Sequence, residues 1–332
     1  MPTTRSKSNT QIKESDHAGD KREHKDADGQ DEKPDAKSVK VDSKQKAGRR
    51  RSSVSKKATE KEPPETKKQT RSLEKGHIYF FYRPKADSGD EVESEDDVQK
   101  LYMVLKPHWS TDKRKPTLII LGRKKLPEVD DHARYWGFVA AADDDVSQLT
   151  SAFKESTYET KTRGTRKVHA ARPAAEGVYM ITAHNGHSHL AYITTAPREP
   201  GKVQEAFNID KESSLIISIK ASNPKTSNAD GAGLRGRQKA TYPDDLQECF
   251  SDQRFIAMEN TKFLNYTNSE LLLIGATDNL IQELGEVAEE LHQLEEEDEL
   301  KVLDVGDVKY IFDELKLDKG KAPVEPLHGE WK

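Results

Sequence analysis

The residues with the clearest chemical potential lie in one basic segment, Tyr158 to Pro173, which reads YETKTRGTRKVHAARP. It holds a single acid, Glu159, and five basic side chains: Lys161, Arg163, Arg166, Lys167 and Arg172. Ammonium and guanidinium groups bind phosphates and carboxylates, and a guanidinium can form two parallel hydrogen bonds. Gly164 permits a tight turn that brings Arg163 and Arg166 together. The segment therefore predicts an anion-binding site, whose partner is an acidic protein segment or a nucleic acid.

A glycine-rich segment further along adds Arg235 and Arg237 to the candidate anion-binding residues. The nearby Gly231, Gly233 and Gly236 match the G-x-G-x-x-G spacing of dinucleotide-binding loops. Such a loop must follow a strand directly and open a long helix, and neither is predicted here. We therefore interpret the segment as a loop that adds to the basic surface.

Three histidines form a candidate metal site. Asn185-Gly186 is a strong signal for a two-residue hairpin turn, and pairing about it places His184 opposite His187 and Thr182 opposite His189. Because side chains alternate along a strand, the three histidines should project from one face. Three imidazoles can bind zinc, copper or nickel. The alternative is a solvated hairpin end, since the sequence indicates no carboxylate partner.

The N-terminal segment carries a basic cluster that is typical of a nuclear-import signal or a phosphate-binding arm. Arg49, Arg50 and Arg51 are followed directly by Ser52 and Ser53. Phosphates on these serines would cancel local positive charge and switch either role. The alternative is a tail that only increases solubility.

The sequence contains no motif that indicates catalysis or a cofactor. It lacks the G-x-S-x-G, P-loop, H-E-x-x-H and protein-kinase signatures. Cys249 is the only cysteine, which excludes a disulfide within the chain and a cysteine-based zinc site. We therefore expect no cofactor and a non-enzymatic protein, although the sequence does not decide against an enzyme.

Charge and composition indicate how these candidates are organised. The chain has 332 residues, of which 33% are hydrophobic and 34% charged. Residues 1–75 carry 21 basic and 14 acidic side chains with almost no aliphatic periodicity, and the remainder carries 33 and 45. The first part cannot bury enough apolar surface to offset its ordering entropy. The sequence therefore predicts a disordered basic tail, 1–75, before an acidic globular body.

The body reads as a succession of short strands. Apolar or alternating patterns predict strands over 77–82, 101–106, 117–122, 135–140, 214–222, 254–258 and 271–274, besides the hairpin over 178–193. Helices are few, at 146–153, 242–250, 278–300 and 308–317, and β-α-β alternation is missing. This pattern predicts an α+β fold in a single β-rich domain, 76–305, built on a mostly antiparallel sheet or barrel with a few peripheral helices.

Three further segments complete the predicted organisation. An acidic loop is expected over 86–98, and a helix capped by Asp278 over 278–300. The helix has ten acids between Asp278 and Glu299 and no base, so it is acidic and amphipathic. A short helix and an extension are expected over 306–332, with Trp331 either anchored in an apolar pocket or binding a partner.

A further set of segments is distinctive when taken together: EKGHIYFFYRPK (74–85), GRKKLP (122–127), YETKTRGTR (158–166), LLLIGA (271–276) and PLHGEW (326–331), with PTTRS (2–6) in the tail. They resemble a family of fungal proteins commonly labelled "BTB domain transcription factor". The resemblance implies a role in transcription. It brings no activity, cofactor or site residues, so the expected fold depends on the predicted strands alone.

We arrive at three hypotheses for function. The first is a non-enzymatic nuclear binding or regulatory protein, transcription- or chromatin-associated, that engages an anionic partner through 158–173. The second is an enzyme or sensor for a phosphorylated small molecule, clamped by Arg163, Arg166 and Arg172. The third is a protein–protein scaffold that uses the acidic helix and the tails. The polar N-terminus and the lack of long apolar runs predict an intracellular protein without a membrane partner, and the oligomeric state stays open.

Overall fold

Strands dominate the computed structural model, as the sequence predicts. It describes residues 70–332 except 87, 89–90, 130, 163, 185, 223–233, 235–237, 306 and 318–322. In chain order the strands are β1 Arg71–Pro84, β2 Val98–Ser110, β3 Thr117–Leu121, β4 Arg134–Ala142, β5 Ser156–Thr160, β6 Gly164–Val168, β7 Arg172–His184, β8 His187–Ala196, β9 Glu212–Lys220, β10 Phe255–Ala257 and β11 Glu270–Thr277. Each segment predicted as a strand overlaps one of these, and β1 begins before the predicted domain boundary at 76.

Eight of these strands close into an antiparallel barrel. Their order is β9-β11-β4-β3-β2-β1-β7-β8, and β8 pairs back onto β9. The short β10 pairs with the end of β9, beyond the stretch that β8 occupies. Closure leaves the eight strands without a free edge. Of the two predicted arrangements, sheet or barrel, the structure has the barrel.

The apolar segment of β1 explains why both faces of this strand are buried. Ile78, Phe80 and Tyr82 point into the barrel, where they join its main hydrophobic core. The alternate residues Tyr79 and Phe81 point outward and belong to a second cluster. Because side chains alternate along a strand, an apolar run of this kind requires an outer layer to cover its second face.

Helices supply that outer layer. They are α1 Val146–Thr150, α2 Lys202–Phe207, α3 Asp244–Glu248, α4 Leu280–Leu284, α5 Glu286–Val305 and α6 Asp307–Glu314, with 3-10 turns at Glu95–Asp97, Ser151–Phe153, Thr261–Asn265 and Glu325–His328. Leu149 of α1 and Phe312 of α6 cover the outer face of β1 and β2. Residues of α4 and α5, among them Leu284 and Leu291, cover β7 and β8.

The acidic helix differs from its prediction at its beginning. It is divided into α4 and α5 by Gly285, whose φ of +59° a residue with a Cβ rarely adopts. The N-cap is Asn279, which accepts a hydrogen bond from the backbone N–H of Gln282 at 3.0 Å. The prediction of Asp278 as the cap is therefore wrong by one residue. In the part of the chain that the structure describes, no helix is long and apolar enough to cross a membrane.

The hairpin about Gly186 has the predicted register. His184 pairs with His187 and Thr182 with His189, and Gly186 has a φ of +80°. The prediction is confirmed because a two-residue turn fixes the register of both strands by itself.

Candidate functional site

The basic segment forms a small hairpin of its own. β5 and β6 make a two-stranded sheet separate from the barrel, with Ser156 opposite Val168 and Thr160 opposite Gly164. Gly164 has a φ of +68°, and the Thr160 hydroxyl donates a hydrogen bond to its carbonyl at 2.9 Å. The segment is therefore extended and not helical. We call residues 156–168 the basic hairpin.

The two faces of the basic hairpin differ in charge. On one face Tyr158 lies opposite Arg166, and the phenol ring is 41% exposed. On the other face the acid Glu159 accepts a hydrogen bond from Thr165, and Lys167 forms an ion pair with Glu155 at 2.9 Å. The Tyr158 face has no acid within β5 and β6, so it presents the more positive surface.

An open groove lies at the base of the basic hairpin. Its volume is about 670 Å³, and its lining residues come from α1, α6 and the chain on either side of the hairpin. Phe153, Ala171 and Phe312 give it apolar walls. Lys154 and Lys316 add positive charge, and Glu155, the partner of Lys167, adds one acid. Lys316 also forms an ion pair with Asp145 at 2.9 Å. The groove is therefore suited to a ligand with both apolar and acidic groups.

Two of the five predicted anion-binding side chains in this segment have local structural roles as well. Arg172 is 5% exposed, and its guanidinium donates a hydrogen bond to the carbonyl oxygen of Lys332. Lys167 is paired with Glu155. Lys161 is exposed near the tip of the hairpin and Arg166 is half-buried on the Tyr158 face. The structure thus brings Lys161 and Arg166 onto one hairpin and places Arg172 in the wall of the barrel.

Several predicted site residues lie outside the described residues. These are Arg163, Arg235 and Arg237 of the anion-binding set, and Arg49, Arg50, Arg51, Ser52 and Ser53 of the tail.

The three histidines of the β7–β8 hairpin do share a face, as predicted. The rings of His184 and His189 lie 6.2 Å apart between centroids. His189 Nδ1 is 3.1 Å from the Ser214 hydroxyl and 3.2 Å from Glu283 Oε1, so a carboxylate that the sequence did not indicate is present. Burial, with the nearby His184 and His187, lowers the pKa of His189 to about 4. The four side chains are neighbours, but their ligand atoms do not converge as a set within the described part of the chain.

Two candidate binding residues near the basic hairpin, Tyr158 and Lys154, were not predicted from the sequence. Tyr158 lies within the basic segment, and an aromatic residue among basic ones is a signal that could have marked it as a binding residue. Lys154 precedes the segment and is exposed at the groove. The groove itself could not have been found, because its walls come from residues far apart in the sequence.

The acids of α5 have partners elsewhere. Glu290 pairs with Lys75 at 2.5 Å, Glu295 with Lys211 at 3.0 Å and Glu299 with Arg198 at 2.6 Å. Lys75 lies in β1, Lys211 between α2 and β9, and Arg198 after β8.

Comparisons with protein-family models, with curated proteins and with solved structures gave no match to this chain. The function must therefore be argued from the site alone.

Proposed function

We propose that this protein is a non-enzymatic nuclear binding protein, transcription- or chromatin-associated, that engages an acidic protein segment through the basic hairpin and the groove at its base. One observation carries the proposal. A hairpin that presents Tyr158 and Arg166 on one face stands beside a groove with apolar walls and the lysines Lys154 and Lys316. Nuclear location is inferred from the basic cluster of the tail.

The groove favours a protein segment over a nucleic acid as the partner. Nucleic-acid affinity comes mainly from neutralised phosphates, whereas residues 76–332 carry 45 acids against 33 bases. Base stacking on a single strand needs several aromatic platforms, and Tyr158 is the one aromatic residue of the basic hairpin. An acidic peptide with large apolar residues would use the charge of the hairpin and the apolar walls together.

The ion pairs of α5 support an external partner. The alternative is that the basic segment pairs with the protein's own acidic helix. Three acids of that helix are already paired, with Lys75, Arg198 and Lys211. Each of these bases lies outside the basic hairpin, so α5 obtains counter-charges without it.

Selection of peptides by the full chain tests the proposal. A random dodecapeptide library is selected on the protein, and the affinity of the recovered peptides is measured by fluorescence anisotropy. We expect recovered sequences rich in Asp and Glu with interspersed large apolar residues. The double variant Lys154→Glu/Lys161→Glu should weaken their binding by about tenfold or more, and added salt should weaken it further.

The matched control makes the same charge change at the opposite end of the barrel. Lys113 and Lys262 lie near the start of β1, where the Thr111 N–H donates to the Leu73 carbonyl. The basic hairpin lies near the other end of β1, because it leads into β7 at Arg172, which pairs with Tyr82. Lys113→Glu/Lys262→Glu should leave the peptide affinity unchanged. Recovered peptides without acidic enrichment, or equal losses in both double variants, would overturn the proposal. Tight, salt-dependent binding of a DNA or RNA duplex in place of the peptides would show that the partner class is wrong.

A further inference from the structure

Three buried side chains of the types that bind metal ions lie between the barrel and helix α5, away from the basic hairpin. His77 is in β1, Glu176 in β7 and Asp298 in α5. Their side chains are 4%, 0% and 1% exposed. Across the β1–β7 pairing, His77 is opposite Val178 and Tyr79 is opposite Glu176. His77 and Glu176 are therefore diagonal neighbours on the outer face of the barrel, and α5 places Asp298 above them.

The ligand atoms of these three residues converge. His77 Nδ1 is 3.2 Å from Asp298 Oδ1 and 3.9 Å from Glu176 Oε1. One atom from each residue lies within 4.8 Å of the other two, and no other group of three His, Cys, Asp or Glu residues does so in the described part of the chain. Ligands at about 2.0–2.1 Å from a tetrahedral zinc ion are about 3.3 Å apart. The observed separations therefore need little adjustment to hold an ion.

The far side of the imidazole is hydrogen-bonded. The Tyr310 hydroxyl lies 3.2 Å from His77 Nε2 and donates to Asp298 Oδ1 at 3.3 Å. His77 Nδ1 makes no hydrogen bond to any described residue, which fits the tautomer in which Nε2–H donates to the Tyr310 oxygen and Nδ1 has a lone pair. Glu176 and Asp298 also share a hydrogen bond. The negative charge of this buried group is therefore balanced either by a proton between the two carboxyls or by a metal ion between the three ligands.

The surroundings complete a site of the kind that holds metal ions. A metal-ligating histidine usually donates its other ring N–H to a fixed acceptor, which is the part that Tyr310 plays. Asp298 Oδ2 accepts a hydrogen bond from Thr195 at 3.0 Å, which fixes that carboxylate. The Tyr79 hydroxyl is fully buried and makes no hydrogen bond to a described residue. Burial raises the pKa of Tyr79 well above its usual value, and the nearby Glu176, Tyr310 and Asp298 raise it further.

Burial, with the nearby His108, Lys106 and Lys301, lowers the pKa of His77 to about 3. Burial raises the pKa of Asp298, while hydrogen bonds with Glu176, Thr195 and Tyr310 act to lower it. Lys75, Lys106 and Lys301 lie around the group but outside the set of converging atoms.

We propose that His77, Glu176 and Asp298 bind one divalent first-row transition-metal ion. The imidazole nitrogen favours zinc, iron, nickel or copper over magnesium and calcium, and the two carboxylates add hard oxygen donors. A small cavity of about 70 Å³ adjoins His77 and Asp298 and is lined also by His108 and Lys301. It has room for one or two water molecules, so a fourth coordination position is open to water or a small ligand. The ion would fasten α5 to the barrel.

Metal binding by the purified full chain tests this site directly. All proteins carry Cys249→Ser, because that thiol is exposed and could bind zinc. Chelator-treated protein is titrated with Zn²⁺ against a chromophoric competitor, and X-ray absorption reports the ligand atoms. We expect one zinc ion per chain, bound by nitrogen and oxygen with one imidazole, and no comparable binding of Mg²⁺. The isosteric variants Glu176→Gln and Asp298→Asn should each lower the affinity by about 100-fold or more, since even outer-shell partners contribute 10–100-fold.

A second histidine group provides the matched control. His184→Gln/His187→Gln removes two imidazoles from the β7–β8 hairpin and should leave the tight zinc site intact. Binding lost in that control but kept in Glu176→Gln and Asp298→Asn would move the site to the hairpin and overturn the proposal. Failure of the Cys249→Ser parent to bind zinc would also overturn the proposal. A proton shared between Glu176 and Asp298 would then explain why these two buried carboxyls lie so close together. Circular dichroism of each variant separates loss of a ligand from loss of the fold, and the stoichiometry of the parent decides the question if a variant does not fold.

Discussion

The guanidinium of Arg114 and the carboxylate of Glu74 form a buried ion pair at one end of the barrel. The Arg114 Nε donates to Glu74 Oε2 at 2.7 Å, and the two side chains are 1% and 0% exposed. Glu74 Oε1 also accepts a hydrogen bond from the Tyr179 hydroxyl at 2.6 Å, and Arg114 donates to the carbonyl of Lys115 at 3.0 Å. Both charges are therefore desolvated and fully engaged.

Replacing one member of this pair should be strongly destabilising. Glu74→Gln leaves the Arg114 charge buried without a counter-ion, so we expect a loss of about 3–5 kcal/mol in the free energy of unfolding. The neighbouring Lys115 forms a surface pair with Asp144 at 3.6 Å, and Lys115→Met should change that free energy by less than about 1 kcal/mol. Urea unfolding measures both, and similar small losses in the two variants would show that the Glu74 pair is not a structural element of the barrel.

Local signals explain how much of the fold could be predicted from the sequence. The turn about Gly186 and the apolar strand at Ile78 depend on neighbours in the sequence, and both agree with the structure. Closure of the barrel depends on pairing between β8 and β9, which no local pattern encodes. The break at Gly285 was missed because the spacing of leucines continues across it.

The candidate sites also divide into those that sequence neighbours indicate and those that only the fold brings together. The basic segment could be found because its charges are consecutive, and the histidine hairpin because a turn fixes its register. The group of His77, Glu176 and Asp298 could not be found, because its members are far apart in the chain and two of them are among 59 acids. Their selection depends on burial by α5, which only the fold supplies.

Trp331 should contribute to stability as an anchor. Its ring packs against Tyr82 at 5.7 Å and Phe207 at 5.5 Å between centroids, which supports anchoring over partner binding. Because the side chain is half-buried, we expect Trp331→Ala to cost about 2 kcal/mol, below the 3–5 kcal/mol of a fully buried tryptophan. Trp109, which is 45% exposed, is the control, and Trp109→Ala should cost about 0.5 kcal/mol or less. Equal costs in urea unfolding would contradict the anchoring role.

The basic hairpin should be dispensable for folding. Its strands pair with each other and not with the barrel, and Ser156 and Val168 are directly opposite, so a short Gly-Ser turn can replace residues 157–167. We expect the thermal midpoint to change by about 2 °C or less, while binding of the selected acidic peptides is lost. A non-cooperative or strongly lowered melting transition would show instead that the hairpin is part of the barrel's folding unit.

Buried tyrosines should make the barrel sensitive to alkali. Burial raises the pKa of Tyr242 to about 12, and its hydroxyl donates to Ser269 Oγ at 3.0 Å. Since the pKa is about 10 in the unfolded chain, the unfolded state loses this proton first, and stability falls as the pH rises from about 10 to 12. At pH 11 this difference amounts to about 1.4 kcal/mol. Tyr242→Phe should therefore gain about that much relative to the parent between pH 8 and pH 11, measured by urea unfolding. An effect of Tyr242→Phe that is the same at pH 8 and pH 11 would contradict the prediction.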